Sequence, residues 1–122
     1  MDTNGNTKEL LIEDLSSRLP YDIKVLYNNK IYSIDYISGI YGEIKLDNSD
    51  RYTLGISEVK PYLFPLSSMT EEEKLMYEGL MIGTDNISYM LDVIDWLNAH
   101  HFDYRNLIQM NLAIDATGLN IY

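Results

Sequence analysis

Apolar positions along the chain change period twice. Near the start, Leu11, Leu15 and Leu19 recur every fourth residue. They follow Asn6-Thr7-Lys8-Glu9, where a capping residue stands three places before a glutamate. Pro20 ends this pattern, because the residue before a proline is driven out of the helical region. The spacing predicts a helix over 7–18.

From residue 21 the period falls to two. Ile23, Val25 and Tyr27 alternate with Asp22, Lys24 and Leu26, and Asn28-Asn29 offers a tight turn at positive φ. Tyr32, Ile34 and Tyr36 form a second run, Ile44 and Leu46 a third, and Tyr52, Leu54 and Ile56 a fourth. Ser38-Gly39 and Asp47-Asn48-Ser49-Asp50 separate them. Short alternating runs divided by turn signals predict an antiparallel meander over 21–60. These apolar residues form its inner face. Asp22, Lys24, Ser33, Asp35, Glu43, Lys45, Arg51, Thr53 and Ser57 fall on its outer face, joined there by Leu26, Ile31, Ile37 and Tyr41.

Lys60-Pro61-Tyr62-Leu63-Phe64-Pro65-Leu66 reads as an extended apolar strap over 61–68, since its prolines remove two backbone donors. The helical period returns over 70–116. Overlapping capping boxes, Ser68-Met69-Thr70-Glu71 and Thr70-Glu71-Glu72-Glu73, open a helix from 71 to about 81. After a cap at Thr84-Asp85-Asn86, residues Ile87, Met90, Leu91, Ile94 and Leu97 predict a second over 86–99. Asp103 as a cap, with Phe102 and Leu107 as a hydrophobic staple, predicts a third over 104–114. The expected fold is one α+β domain over 1–122. A strongly bent antiparallel sheet of four or five strands, with an SH3-like barrel as one form of it, packs against an N-terminal helix and two or three C-terminal helices.

Charge narrows the partners. Nine Lys and Arg stand against nineteen Asp and Glu, a formal net charge of −10. Residues 61–122 hold nine acids against Lys74 and Arg105, whereas 18–60 are balanced. Such a field repels nucleic acid and anionic membranes. Lys24, Lys30, Lys45 and Arg51 each lie near acids, so nucleic-acid binding through a tyrosine-bearing barrel is the weaker alternative. An acidic surface that mimics nucleic acid is another. No apolar run approaches the ~20 residues of a membrane span. The polar start Met1-Asp2-Thr3-Asn4-Gly5-Asn6 has no signal-peptide pattern. With no cysteine, the chain has no thiolate metal site, disulfide or cysteine nucleophile. A cytoplasmic setting is expected.

Candidate chemistry is sparse. His100 and His101 are the only histidines, and adjacent helical residues point about 100° apart, which disfavours one shared metal ion. Asp85, Asp92 and Asp95 fit a solvated helix face better than a pair of catalytic acids. No nucleophile elbow, dinucleotide loop or phosphate loop occurs. The expectation is therefore no enzyme activity, no cofactor and no metal. Eleven tyrosines, against two phenylalanines and one tryptophan, suit wet core rims and interfaces. The role expected is that of a small accessory protein that binds another protein, with Tyr41, Tyr62 and Phe64 as the candidate contact residues.

Two segments carry a resemblance: Glu58 to Glu73, and His100 to Ile108 with the tail Leu112 to Tyr122. With Leu19-Pro20-Tyr21, they resemble a family of small proteins from gut Bacteroides-type bacteria and their phages or integrated elements. The resemblance implies a cytoplasmic setting and a mobile-element origin. It brings no activity, cofactor or catalytic residue with it.

Overall fold

A computed structural model of the protein describes residues 4–49, 53–82 and 87–122. Helix α1 spans Asn4–Arg18, starting earlier than its capping signature predicts. Its buried stripe is Leu11, Asp14, Leu15 and Arg18, a spacing that keeps all four on one face. The chain leaves α1 through a 3-10 turn, Leu19–Tyr21, with Pro20 near its start.

Strands β1 (Lys24–Tyr27) and β2 (Lys30–Ser38) form the expected hairpin. Asn28 and Asn29 both take positive φ, 51° and 64°, the turn geometry that matches strand twist. Strand β3 (Glu43–Leu46) returns along β2, and the two-residue β4 (Leu54–Gly55) pairs with β3. The fourth alternating run is thus mostly not strand. Ile56–Glu58 turn into a 3-10 helix, where the Glu58 carboxylate accepts the Gly55 N–H at 2.9 Å. Arg51 and Tyr52 lie outside the described residues.

The face assignment holds, with Ile44, Leu46, Leu54 and Ile56 buried as expected, except in the second half of β2, where it reverses. Ile34 lies opposite Leu46, but Tyr36 lies opposite Lys45 and Ile37 opposite Ile44. The register shift between Ile34 and Tyr36 adds one residue, and one residue flips every later side chain to the other face. Ile37 therefore packs on the core and Tyr36 is exposed, the opposite of the alternation's prediction.

The proline strap is a strand. Strand β5 (Lys60–Pro65) sits inside the sheet, whose order is β4-β3-β2-β1-β5-β6, with β7 also on β5. Its prolines occupy its second and last positions, and Pro61, Tyr62 and Leu63 are all buried. A strand covered on both faces reads as continuous apolar sequence, without alternation. It pairs antiparallel with β1 and parallel with two short strands, β6 (Phe102–Asp103) and β7 (Ile114–Asp115). The sheet is mostly antiparallel and the fold is mixed α+β. Among the described residues no ladder joins β4 to the opposite edge.

Helices α2 (Glu71–Met81) and α3 (Ile87–Ala99) match the predicted spans. The predicted Thr84–Asn86 cap lies outside the described residues. At the start of α2 the capping box forms: Thr70 Oγ1 accepts the Glu73 N–H at 3.2 Å, and the Glu73 carboxylate accepts the Thr70 N–H at 2.8 Å.

The third C-terminal helix does not form. Residues 104–113 are turns that contain neither helix nor strand. Asp103 still acts as a cap, its two carboxylate oxygens accepting the Leu107 and Ile108 N–H groups at 2.9 Å each. Asn106 and Asn111 both take φ 61°, a left-handed geometry no helix continues through. Leu107 and Ala113 reach the core from these turns.

Two apolar clusters result. Leu11 and Leu15 of α1 pack with Ile23, Val25, Ile44, Leu46, Leu54, Ile56, Val59 and Leu63. The second joins Met69, Val93, Leu97 and Phe102, with Phe64, Tyr77, Leu80 and Trp96 at its edge. The second cluster carries the helical hairpin.

Candidate protein-interaction surface

The three predicted contact residues stand in different settings. Tyr41 is 70 % exposed beside Ile40, which is 90 % exposed, in the loop between β2 and β3. Gly42 follows at φ 63°, with the Lys8 side chain packed where a Cβ would sit. Phe64 is half-buried, its ring 6.2 Å from that of Phe102 and 5.8 Å from that of Tyr122. Tyr62 is only 6 % exposed and belongs to the sheet interior. Of the three, only Tyr41 presents most of its surface to solvent.

A larger apolar surface lies on α2 and α3. Amphipathic α2 turns Tyr77 and Leu80 toward the second cluster. It has no buried residue, and its outer side is not polar. Leu75 is 69 % exposed and Ile82, seven residues on, is 86 % exposed, so both lie on one stripe. Met76 is exposed on the flank. On α3, Val93 and Leu97 face inward, while Met90, Leu91 and Ile94 remain exposed. Met81, Met90, Val93 and Ile94 line a groove of about 230 Å³ between the helices. The helical period of Met90, Leu91 and Ile94 predicts an amphipathic helix. Period alone shows that one face is apolar, not that something covers it.

The rim of this surface is acidic. Among the described residues, Glu71, Glu72, Glu78, Asp92 and Asp95 are exposed on the two helices, against Lys74. Lys74 Nζ lies 3.5 Å from Glu71, both groups exposed. Asp95 accepts the Tyr21 hydroxyl proton.

Buried charge is gathered elsewhere, under α1. Asp14 and Arg18 are both fully buried and pair through Arg18 Nε at 2.9 Å. Arg105 Nη1 donates to the other Asp14 oxygen at 2.7 Å. Arg18 Nη2 donates to the Phe102 carbonyl at 2.7 Å, and both guanidinium groups stand over the Tyr104 ring, at 5.2 and 4.6 Å. This network ties α1 to the C-terminal segment. Its carboxylate accepts from two arginines, which leaves it poorly placed to take a substrate proton.

The two histidines diverge. His100 stacks on Trp96 at 4.3 Å. His101 takes φ 63° just past the end of α3 and stacks on Tyr122 at 3.7 Å. Burial, reinforced by the Arg18 charge, pushes His101 down to about 4. Among the described residues, no group of three His, Asp or Glu gathers to hold a metal. No helix there is long and apolar enough to cross a membrane.

The chain matches no family model, no curated protein and no solved structure. Its own geometry therefore carries the functional argument. The surface that stands out physically is the α2–α3 hairpin, which exposes several large apolar side chains on a molecule with a net charge of −10.

Proposed function

We propose that this chain is a non-enzymatic accessory protein that acts by binding another protein, and that the outer face of α2 and α3 is its contact surface. The observation that carries the reading is the exposure of Leu75, Met76, Ile82, Met90 and Leu91 on one helical hairpin. Large exposed apolar patches on soluble proteins mark interaction sites. Aromatic or methionine-rich anchors within a polar rim are the usual interface anatomy. Exposed Ile40 and Tyr41 form a second, smaller apolar tip.

Nucleic acid fits less well. Arg18 and Arg105 are committed to Asp14, Lys24 to Asp22 and Lys74 to Glu71, while phosphate binding depends on available cations. A nucleic-acid mimic needs acids as its contact surface, and here the acids border an apolar one. The cytoplasmic setting and mobile-element origin belong to this proposal through the sequence resemblance alone.

The test is affinity capture from nuclease-treated bacterial lysate, with wild type and a Leu75→Ser/Ile82→Ser variant run side by side. A stoichiometric protein held by wild type and lost by the variant supports the reading. Equal capture by both, or capture by neither, contradicts it.

A further inference from the structure

Resting on that reading, we infer that the occupant of the α2–α3 face is a basic amphipathic helix presented by another protein. Three features of the surface converge on this partner.

The first is shape. The groove between the helices is shallow and apolar, bounded by Met81, Met90, Val93 and Ile94. Leu75 and Ile82 stand seven residues apart on the outer side of α2. A helix laid along this face presents anchors at i, i+3 or i+4, and i+7, the periodicity that meets another helix. An extended strand needs a free sheet edge for its backbone hydrogen bonds, and two adjacent helices provide none.

The second is side-chain chemistry. Three of the chain's six methionines, Met76, Met81 and Met90, lie on this hairpin. Unbranched thioethers repack around apolar side chains of differing outline. Methionine at a surface groove suits a helix face better than a single rigid ligand.

The third is charge, and it selects among occupants. Glu72, Glu78 and Asp92 make no ion pair among the described residues. A second copy of this chain would bring the same acidic rim and a net charge of −10 against it, so like charges would face each other. Anionic membranes are repelled for the same reason. A helix with lysine or arginine beside its apolar stripe buries that stripe and sets cations against the unpaired carboxylates. Rim charges of this kind mainly raise the association rate and make binding salt-dependent.

The experiment is a selection. A displayed library of helical peptides, varied in both apolar pattern and charge, is enriched on the 122-residue chain. Enriched peptides are then titrated by Trp96 fluorescence against wild type, Leu75→Ser/Ile82→Ser and Glu72→Lys/Glu78→Lys. These substitutions all lie on exposed positions, and circular dichroism checks that each variant is folded. The inference expects enriched peptides with an i, i+3/i+4, i+7 apolar stripe flanked by Lys or Arg. It expects affinity to fall at least about tenfold in the serine variant, which is the scale of losing interface anchors. It expects a smaller loss, and a weaker salt dependence, in the charge-reversed variant.

Acidic or neutral peptides that bind the hairpin and lose affinity in the serine variant overturn this inference while leaving the contact surface standing. Peptides indifferent to the serine variant overturn both. Failure to enrich any peptide overturns the inference. So does a dimer in sedimentation, or binding to zwitterionic vesicles, if the serine variant abolishes it, because the face is then occupied otherwise.

Discussion

Asp14 shows how much a single residue can hide in a charge count. It counts among the nineteen acids that set the net charge, yet it is fully buried between two arginines. Removing one partner of a buried pair is costly because the other charge stays behind, uncompensated. Asp14→Ala should therefore lower unfolding stability by about 3–5 kcal/mol. Arg105→Ala should cost less, since Arg105 is partly exposed and Arg18 still holds Asp14. Urea denaturation of both variants checks the order. The signal was present in the sequence, because Asp14 and Arg18 share the four-residue spacing of a helical ion pair. What the sequence could not supply was Arg105, which arrives from 91 residues away.

His101 gives the molecule a pH dependence of definite sign. Folded, it stays neutral down to about 4, against 6.5 for an unperturbed histidine. Its neighbours include Arg18, His100 and Lys24, which oppose its protonation, and Asp22, which favours it. The unfolded chain takes up this proton first, so the stability contribution is whole above pH 6.5 and shrinks as pH falls toward 4. His101→Asn keeps a residue tolerant of left-handed φ and removes the titration. Its melting temperature should fall less between pH 7 and pH 5 than that of wild type. Equal falls would place the acid sensitivity in another group.

At the scale of elements, local signals were legible and conflicts between them were not. The β1–β2 turn, the α2 capping box and the proline stop after α1 each rest on a few adjacent residues, and each forms. Thr70→Ala should cost about 1 kcal/mol through loss of the cap, with faster amide exchange in the first turn of α2. Unchanged exchange there would mean that the cap does not hold the helix. The third C-terminal helix fails for a local reason too. Asp103 caps two N–H groups as a helix start would, but Asn106 turns the chain left-handed three residues later. Asparagine is tolerant of both geometries, so its identity does not decide the outcome. The bulge at Asp35 likewise left no mark on the alternation of polar and apolar residues. The proline strap is legible as extended chain but not as an inner strand, because a strand buried on both faces loses that alternation.

At the scale of the whole molecule, the order of the strands depends on contacts between distant segments. Strand β5 lies beside β1 and receives β6 and β7 from the far end of the chain. Tyr122 closes this arrangement: its hydroxyl accepts the Lys24 N–H at 2.9 Å and donates to the Tyr62 carbonyl at 2.7 Å. Tyr122→Phe should cost about 1–3 kcal/mol, the net scale of two hydrogen bonds. A variant as stable as wild type in thermal unfolding would show that the C-terminal residue merely rests on the sheet. The resulting body satisfies its first apolar cluster internally and leaves the outer face of α2 and α3 apolar and exposed.

That face is the centre of the account, and the most direct measurement compares its effect on folding with its effect on binding. Leu75→Ser/Ile82→Ser should leave urea-unfolding stability within about 0.5 kcal/mol of wild type per substitution, as for surface positions, while abolishing capture of the protein partner. A stability loss above about 2 kcal/mol would assign these side chains to the core. Undiminished capture would contradict the assignment of α2 and α3 as the binding surface.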